Sequence, residues 1–168
     1  MTAIAACAGL LLFIGSTLSA AVGDVMTYRI SNKLVAVMAV SYALLAPLTG
    51  LGLQQLGMSA VAAAAVLGGG FWLFTIGAIG GGDAKFAAAA ALWLGHELVP
   101  AFILATAVAG GVVAVALLFL QHVKLPSTVM SVSWVERILD GRSGVPYGLA
   151  LSAAALVLLP SSHWVSFL

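Results

Sequence analysis

Two aspartates are the residues of this chain whose type and position could do chemistry. Asp24 follows the first long apolar run, and Asp83 follows the glycines Gly80-Gly81-Gly82. Only 7% of the 168 residues are charged, whereas 63% are hydrophobic. A carboxylate beside hydrocarbon is costly, so each acid predicts a functional site. Two carboxylates within hydrogen-bond range share a proton and can divide the roles of base and acid in peptide hydrolysis.

Strong hydrophobicity determines the elements that must position these acids. The mean hydropathy of +1.20 predicts an all-α polytopic membrane protein, with 1–168 as a single membrane-embedded domain. The apolar runs predict six spans, at 3–22, 34–53, 57–79, 84–99, 100–121 and 146–165. Between the last two lies a polar segment, 122–145, which predicts either an interfacial amphipathic helix or a loop anchored by Trp134.

The basic residues indicate the orientation of these spans. All six fall in alternate loops: Arg29, Lys33, Lys85, Lys124, Arg137 and Arg142. The loops around Gln54 and His96 contain no Lys or Arg. By the positive-inside rule we expect both termini outside and both aspartates at the cytoplasmic face. No Lys or Arg precedes the first apolar run, so we expect no signal peptide there.

Other kinds of chemistry find little support in the sequence. A single cysteine and three scattered histidines predict neither a metal site nor a cofactor. The chain has no Gly-x-Ser-x-Gly elbow and no phosphate-binding glycine loop, and its net charge of +1 gives no reason to expect nucleic acid as a partner. Pairs of small residues four apart, such as Gly77/Gly81 and Ala87/Ala91, predict close helix packing in lipid.

Structural explanations of the charged residues stay open at this point. Asp83 could simply cap a helix, and Asp24 could be an interfacial acid that ends the first span. Lys85 could tune the charge of Asp83 or bind substrate backbone, or it could only set the topology. Arg29 and Lys33 are typical of lipid-headgroup anchors.

Three motifs together resemble those of type IV prepilin peptidases. Gly80-Gly81-Gly82-Asp83-Ala84-Lys85 is similar to the family's Gly-x-Gly-Asp-x-Lys signature. Asp24, followed by Arg29-Ile30-Ser31-Asn32, is similar to the family's other aspartate segment, in which Pro usually stands at the position of Ser31. Pro146-Tyr147-Gly148 resembles the segment that opens the last helix in many members.

The resemblance implies a function for the whole chain. It implies an aspartic endopeptidase of the bacterial inner membrane that cleaves prepilin leaders with Asp24 and Asp83. Supporting roles would fall to the other motif residues: Gly80, Gly82, Lys85, Arg29, Asn32, Pro146, Tyr147 and Gly148. The expected partners are a prepilin, with its leader and apolar helix, and membrane lipid. The chain lacks the four-cysteine zinc insertion of long members, so it resembles the short form of tight-adherence (Flp-type) pili, which has no methyltransferase activity.

Three other functions compete with this interpretation. A small proton- or cation-coupled transporter subunit could use Asp24 and Asp83, although such acids usually lie near the bilayer midplane. A presenilin-type protease would carry a Tyr-Asp pair within a helix, whereas Gly23 precedes Asp24. No feature of the sequence favours a non-catalytic secretion subunit.

Overall fold

A computed structural model describes residues 2–122 and 145–167, and these residues form only helices and connecting turns. Within these two ranges the α-helices are α1 (Thr2–Thr27), α2 (Asn32–Leu45), α3 (Leu53–Thr75), α4 (Gly81–Leu94), α5 (Val99–His122) and α6 (Tyr147–Leu158). Short 3-10 turns follow three of them, at Ala46–Thr49, His96–Leu98 and Leu159–Ser161, and another lies at Val165–Phe167. The all-α prediction is therefore confirmed.

In the described part of the chain, five helical segments are long and apolar enough to cross a membrane. They are Thr2–Thr27, Asn32–Thr49, Leu53–Thr75, His96–His122 and Tyr147–Phe167. The span predicted at 84–99 is instead the 14-residue helix α4, about 21 Å long, which ends at Gly95 with a φ of 87°. That left-handed conformation favours glycine and stops the helix.

Other boundaries also differ from the sequence prediction: α2 ends at Leu45 and not at 53, and α3 begins at Leu53 and ends at Thr75, not at 57 and 79. Helix α1 continues beyond 22 to Thr27, so Asp24 lies within its last turns and not just past them. The Tyr28 N–H donates to the Asp24 carbonyl oxygen at 2.7 Å, which keeps this segment helical. Helix α6 ends at Leu158 because Pro160 cannot continue the ladder of hydrogen bonds.

Helix α4 lies at the centre of the bundle, against α2, α3 and α6. Its alanines are small enough to bring these neighbours close, and Ala90 and Ala91 are fully buried. Helix α1 packs on α2 and α6, and α5 packs mainly on α6. The loop 122–145 for which we predicted an interfacial helix falls, apart from its two end residues, outside the described residues.

An aromatic cluster closes the end of the bundle opposite Asp83. Trp93 at the end of α4 stacks on Trp164 with ring centroids 4.6 Å apart. Both indole N–H groups donate at 2.9 Å, from Trp93 to the Met38 carbonyl oxygen and from Trp164 to the Trp93 carbonyl oxygen. Buried indoles with satisfied donors join α2, α4 and the C-terminal segment at this end.

Candidate active site

Asp24 is held by the first turn of α6. Its side chain is only 4% exposed, and its Oδ2 accepts a hydrogen bond of 2.7 Å from the Gly148 backbone N–H. The Leu149 backbone N–H also hydrogen-bonds to this carboxylate. The N-terminal N–H groups of a helix have no partners within the helix, and the helix dipole favours negative charge there. Asp24 therefore caps a helix that begins 123 residues further along the chain.

Gly148 is a glycine because Asp24 lies against it. A Cβ at this position would lie 2.8 Å from the Cβ, Cγ and Oδ2 of Asp24, closer than carbon atoms approach. Pro146 precedes the helix at its N-cap, where a missing N–H costs nothing. The predicted role of Pro146-Tyr147-Gly148 in opening the last helix is thus seen in the structure, and the glycine gives room for a carboxylate.

Asp83 lies in the first turn of α4, and its side chain caps the N-terminus of the same helix. Its Oδ2 accepts a hydrogen bond of 3.2 Å from the Gly80 N–H, and a Cβ on Gly80 would lie 2.9 Å from the same oxygen. The capping geometry that the sequence left open is therefore present. Burial, and secondly the charge of Asp24, raise the pKa of Asp83 from 3.8 to about 6, although the Gly80 hydrogen bond opposes this shift. The two carboxylates are close enough to influence each other's protonation.

The two aspartate motifs contact each other through their flanking residues. A Cβ on Gly82 would lie 3.4 Å from the Ile30 Cβ and from its carbonyl oxygen, so this loop packs on the start of α4. Lys85 Nζ donates to Asn32 Oδ1 at 3.1 Å. The sequence analysis did not foresee this contact, which joins Lys85 to the motif that contains Asp24.

Ser31, where relatives usually have Pro, is the N-cap of α2. Its hydroxyl accepts a hydrogen bond of 3.2 Å from the Lys33 N–H, and its φ of −67° is one that Pro would also adopt. The backbone therefore keeps a Pro-compatible conformation at this position. Arg29 is exposed, and within the described part of the chain no hydrogen bond joins its guanidinium to either aspartate.

A cavity of about 680 Å³ begins at Asp83 and extends between α3 and α5. Tyr147 lines the cavity and packs its ring against α5, where a Cβ on Gly110 would lie 3.2 Å away. The contribution of α5 to this cavity cannot be predicted from local sequence patterns. The small residues within 62–70 predict close helix packing and, under the function that the resemblance implies, space for the substrate helix.

Within residues 2–122 and 145–167, no group of three or more His, Cys, Asp or Glu side chains could hold a metal ion. What the described residues do contain is a pair of electrostatically coupled carboxylates at the starts of two helices, in a helical membrane protein. This arrangement can carry out acid–base chemistry without a metal.

Residues 11–115 match the type IV leader peptidase family, and the match includes both aspartates. The matched segment exceeds half of the chain, so the protein belongs to this family of membrane proteases. No curated protein and no solved structure matches the chain significantly.

Proposed function

We propose that this protein is an aspartic endopeptidase that removes the leader of Flp-type prepilins at the cytoplasmic face of the bacterial inner membrane. One observation carries the proposal: Asp24 and Asp83 lie close together where α1, α4 and α6 meet, and burial, and secondly the charge of Asp24, raise the pKa of Asp83 to about 6. A carboxyl with such a pKa can keep a proton while its partner is ionised. Membership of the leader peptidase family supports the same activity.

The surroundings of the two acids favour different roles. Asp24 accepts a short hydrogen bond from Gly148 at the positive end of α6, which stabilises a negative charge. Asp83 has a longer bond, of 3.2 Å, to Gly80. We therefore assign Asp24 as the general base and Asp83 as the general acid.

In this mechanism Asp24 takes a proton from water while the water oxygen adds to the scissile carbonyl carbon. Asp83 gives its proton to the carbonyl oxygen, and a tetrahedral diol forms. Asp24 then gives its proton to the amide nitrogen as the C–N bond breaks, and a diol hydroxyl returns a proton to Asp83. The two acids end with one proton between them, as they began.

The finer parts of the proposal rest on the resemblance to short members of the family. The chain has one cysteine and so cannot form a four-cysteine zinc site. We propose on this ground that it cleaves without methylating the new N-terminus. Mass spectrometry of the processed pilin should find an unmethylated first residue.

A gel-mobility assay tests the catalytic proposal. Membranes containing a Flp-type prepilin and wild-type protein should yield the shorter mature form, while Asp24→Asn and Asp83→Asn should each lower the cleavage rate at least about 100-fold. Glu97→Gln, at an exposed carboxylate near the opposite end of α4, should cleave like wild type. Full cleavage by either Asp variant at equal protein level would refute the mechanism. If prepilin stays uncut although wild-type protein is present at the level used for the variants, proton-coupled transport becomes the favoured function.

A further inference from the structure

The cavity beside Asp83 has the length and position of a binding groove. It runs from Asp83 in the first turn of α4 to His96, just beyond the end of the same helix. Along α3 its lining extends from Ala62 to Leu73, about 16 Å. Its side walls are α3 and α5, and Tyr147 and Leu151 of α6 contribute to the lining at its inner side.

The α3 wall of this groove combines small residues on one helix face with the larger side chains of Val66, Trp72 and Leu73. Ala62, Ala65 and Gly69 line it, three and four positions apart. A Cβ added at Gly69 would meet nothing within 4 Å, so this face is open. At Gly70 the same Cβ would lie 2.9 Å from Ala84, so the neighbouring glycine serves the packing of α3 on α4. Small residues spaced by four let a further helix approach closely in lipid.

The α5 wall supplies bulkier apolar side chains and one polar group. Phe102 and Ile103 line the groove together with Thr106. The Thr106 hydroxyl is buried and has no hydrogen-bond partner among the described residues. A buried hydroxyl without a hydrogen-bond partner costs free energy, and a backbone carbonyl of an incoming chain could accept a hydrogen bond from it.

We propose that this groove binds the apolar helix of the substrate, with the scissile bond beside Asp83 and the following residues along α3 and α5. The inference rests on the proposed function, in which an apolar helix follows the cleavage point. Asp83 itself lines the groove, so a helix lying there begins at the catalytic carboxyl. Trp72 and Ile103 line the groove and are themselves exposed, so the groove is open at its side for entry of a helix from lipid.

Matched substitutions on α3 test this assignment. Gly68 and Gly69 are adjacent, exposed and free of neighbours around an added Cβ, but only Gly69 lines the groove. Gly69→Leu should lower kcat/KM for prepilin at least about 10-fold in vesicles, mainly by raising KM, whereas Gly68→Leu should stay within about twofold of wild type. Ala65→Leu and Ala64→Leu form a second pair with the same expectation.

Cross-linking identifies the occupant. In an Asp83→Asn, Cys7→Ala background, Gly69→Cys should form a disulfide with a cysteine placed in the apolar helix of prepilin, and Gly68→Cys should not. If wild-type protein cleaves prepilin but Gly69→Leu and Gly68→Leu lower kcat/KM equally, or not at all, the groove assignment is overturned. A dimer of the enzyme as the only cross-linked product, or no adduct at all, would also overturn it, since the occupant would then be a second copy or lipid. Failure of wild-type protein to cleave would overturn the proposed function itself.

Discussion

Both aspartates lie at the start of a helix, but they relate to it differently. Asp83 belongs to the helix that it caps, through the Gly80 N–H, whereas Asp24 comes from α1 and caps α6. Three glycines make these contacts sterically allowed, because a Cβ on Gly80 or Gly148 would collide with a carboxylate and one on Gly82 would crowd Ile30. The glycines therefore serve to bring backbone N–H groups and a loop close to the acids.

The raised pKa of Asp83 predicts a pH-dependent effect of its replacement on stability. Below pH 3.8 the side chain is protonated in both folded and unfolded protein, and as the pH rises through about 6 the folded protein must ionise a partly buried carboxyl. Wild-type protein therefore loses stability over this window, and Asp83→Asn does not. We expect the variant to unfold at a higher temperature than wild type at pH 7.5, with a difference that shrinks towards pH 4.

Thermal unfolding in detergent, followed by near-ultraviolet circular dichroism, measures this difference. Gly15→Ala changes no titratable group and provides the control, since its difference from wild type should not vary with pH. A difference for Asp83→Asn that is constant with pH would mean that Asp83 is not desolvated by the fold.

For individual residues, the sequence predicts which acids are functional but not what they contact. Asp24 and Asp83 stand out because charge is scarce in the chain. The hydrogen bond between Asp24 and Gly148 joins positions 124 apart, and no local pattern encodes such a contact. The motif Pro146-Tyr147-Gly148 suggested a helix start, but only the packing of α1 on α6 gives its glycine a reason.

At the scale of elements, helix ends were harder to predict than helices. Hydropathy marks apolar runs, and it continued the fourth span to 99 and the last to 165. The helices stop earlier because Gly95 adopts a positive φ and Pro160 lacks an N–H. The α1 helix, in contrast, extends past its apolar run to Thr27, since backbone hydrogen bonds do not depend on hydropathy.

The aromatic cluster makes a prediction about the packing of α1. A Cβ on Gly9 would lie 2.5 Å from the Trp164 ring, which is itself stacked on Trp93. Gly9→Ala should therefore destabilise the protein by about 1–3 kcal/mol through overpacking. Gly15→Ala, in the same helix with nothing within 4 Å of the added Cβ, should instead stabilise it by about 0.5–1 kcal/mol.

The midpoint of thermal unfolding in detergent checks this pair of variants. Each kcal/mol corresponds to roughly 2–4 °C for a chain of this size. An unfolding temperature of Gly9→Ala equal to or above that of Gly15→Ala would mean that the Trp164 ring does not pack on α1.

For the whole molecule, the sequence predicts a helical bundle but not the different lengths of its helices. Helices α2 and α4 have 14 residues each and measure about 21 Å, less than the roughly 30 Å of a hydrocarbon core. The 3-10 turn Ala46–Thr49 continues α2, whereas α4 stops at Gly95. Helix α5 has 24 residues, about 36 Å. Gly110 of α5 lies against Tyr147, the first residue of α6. Beyond this contact, residues 111–122 continue α5 for about 18 Å along the helix axis. Asp83 lies at the start of the short helix α4, and Asp24 of α1 lies against the start of α6, so both aspartates are recessed relative to the end of α5.

This recess predicts that bilayer thickness controls the rate of cleavage. A thick bilayer surrounds the short helices with hydrocarbon beyond their ends, which separates Asp83 from water and from the polar leader of the substrate, at a cost of fractions of a kcal/mol per Å of mismatch. We expect cleavage in phosphatidylcholine vesicles to be several-fold faster with 14- or 16-carbon acyl chains than with 22-carbon chains. Detergent-solubilised enzyme gives the reference rate, and Asp83→Asn gives the background. Equal rates in all vesicles, or faster cleavage in the thickest, would show that water and leader reach the aspartates without thinning of the bilayer.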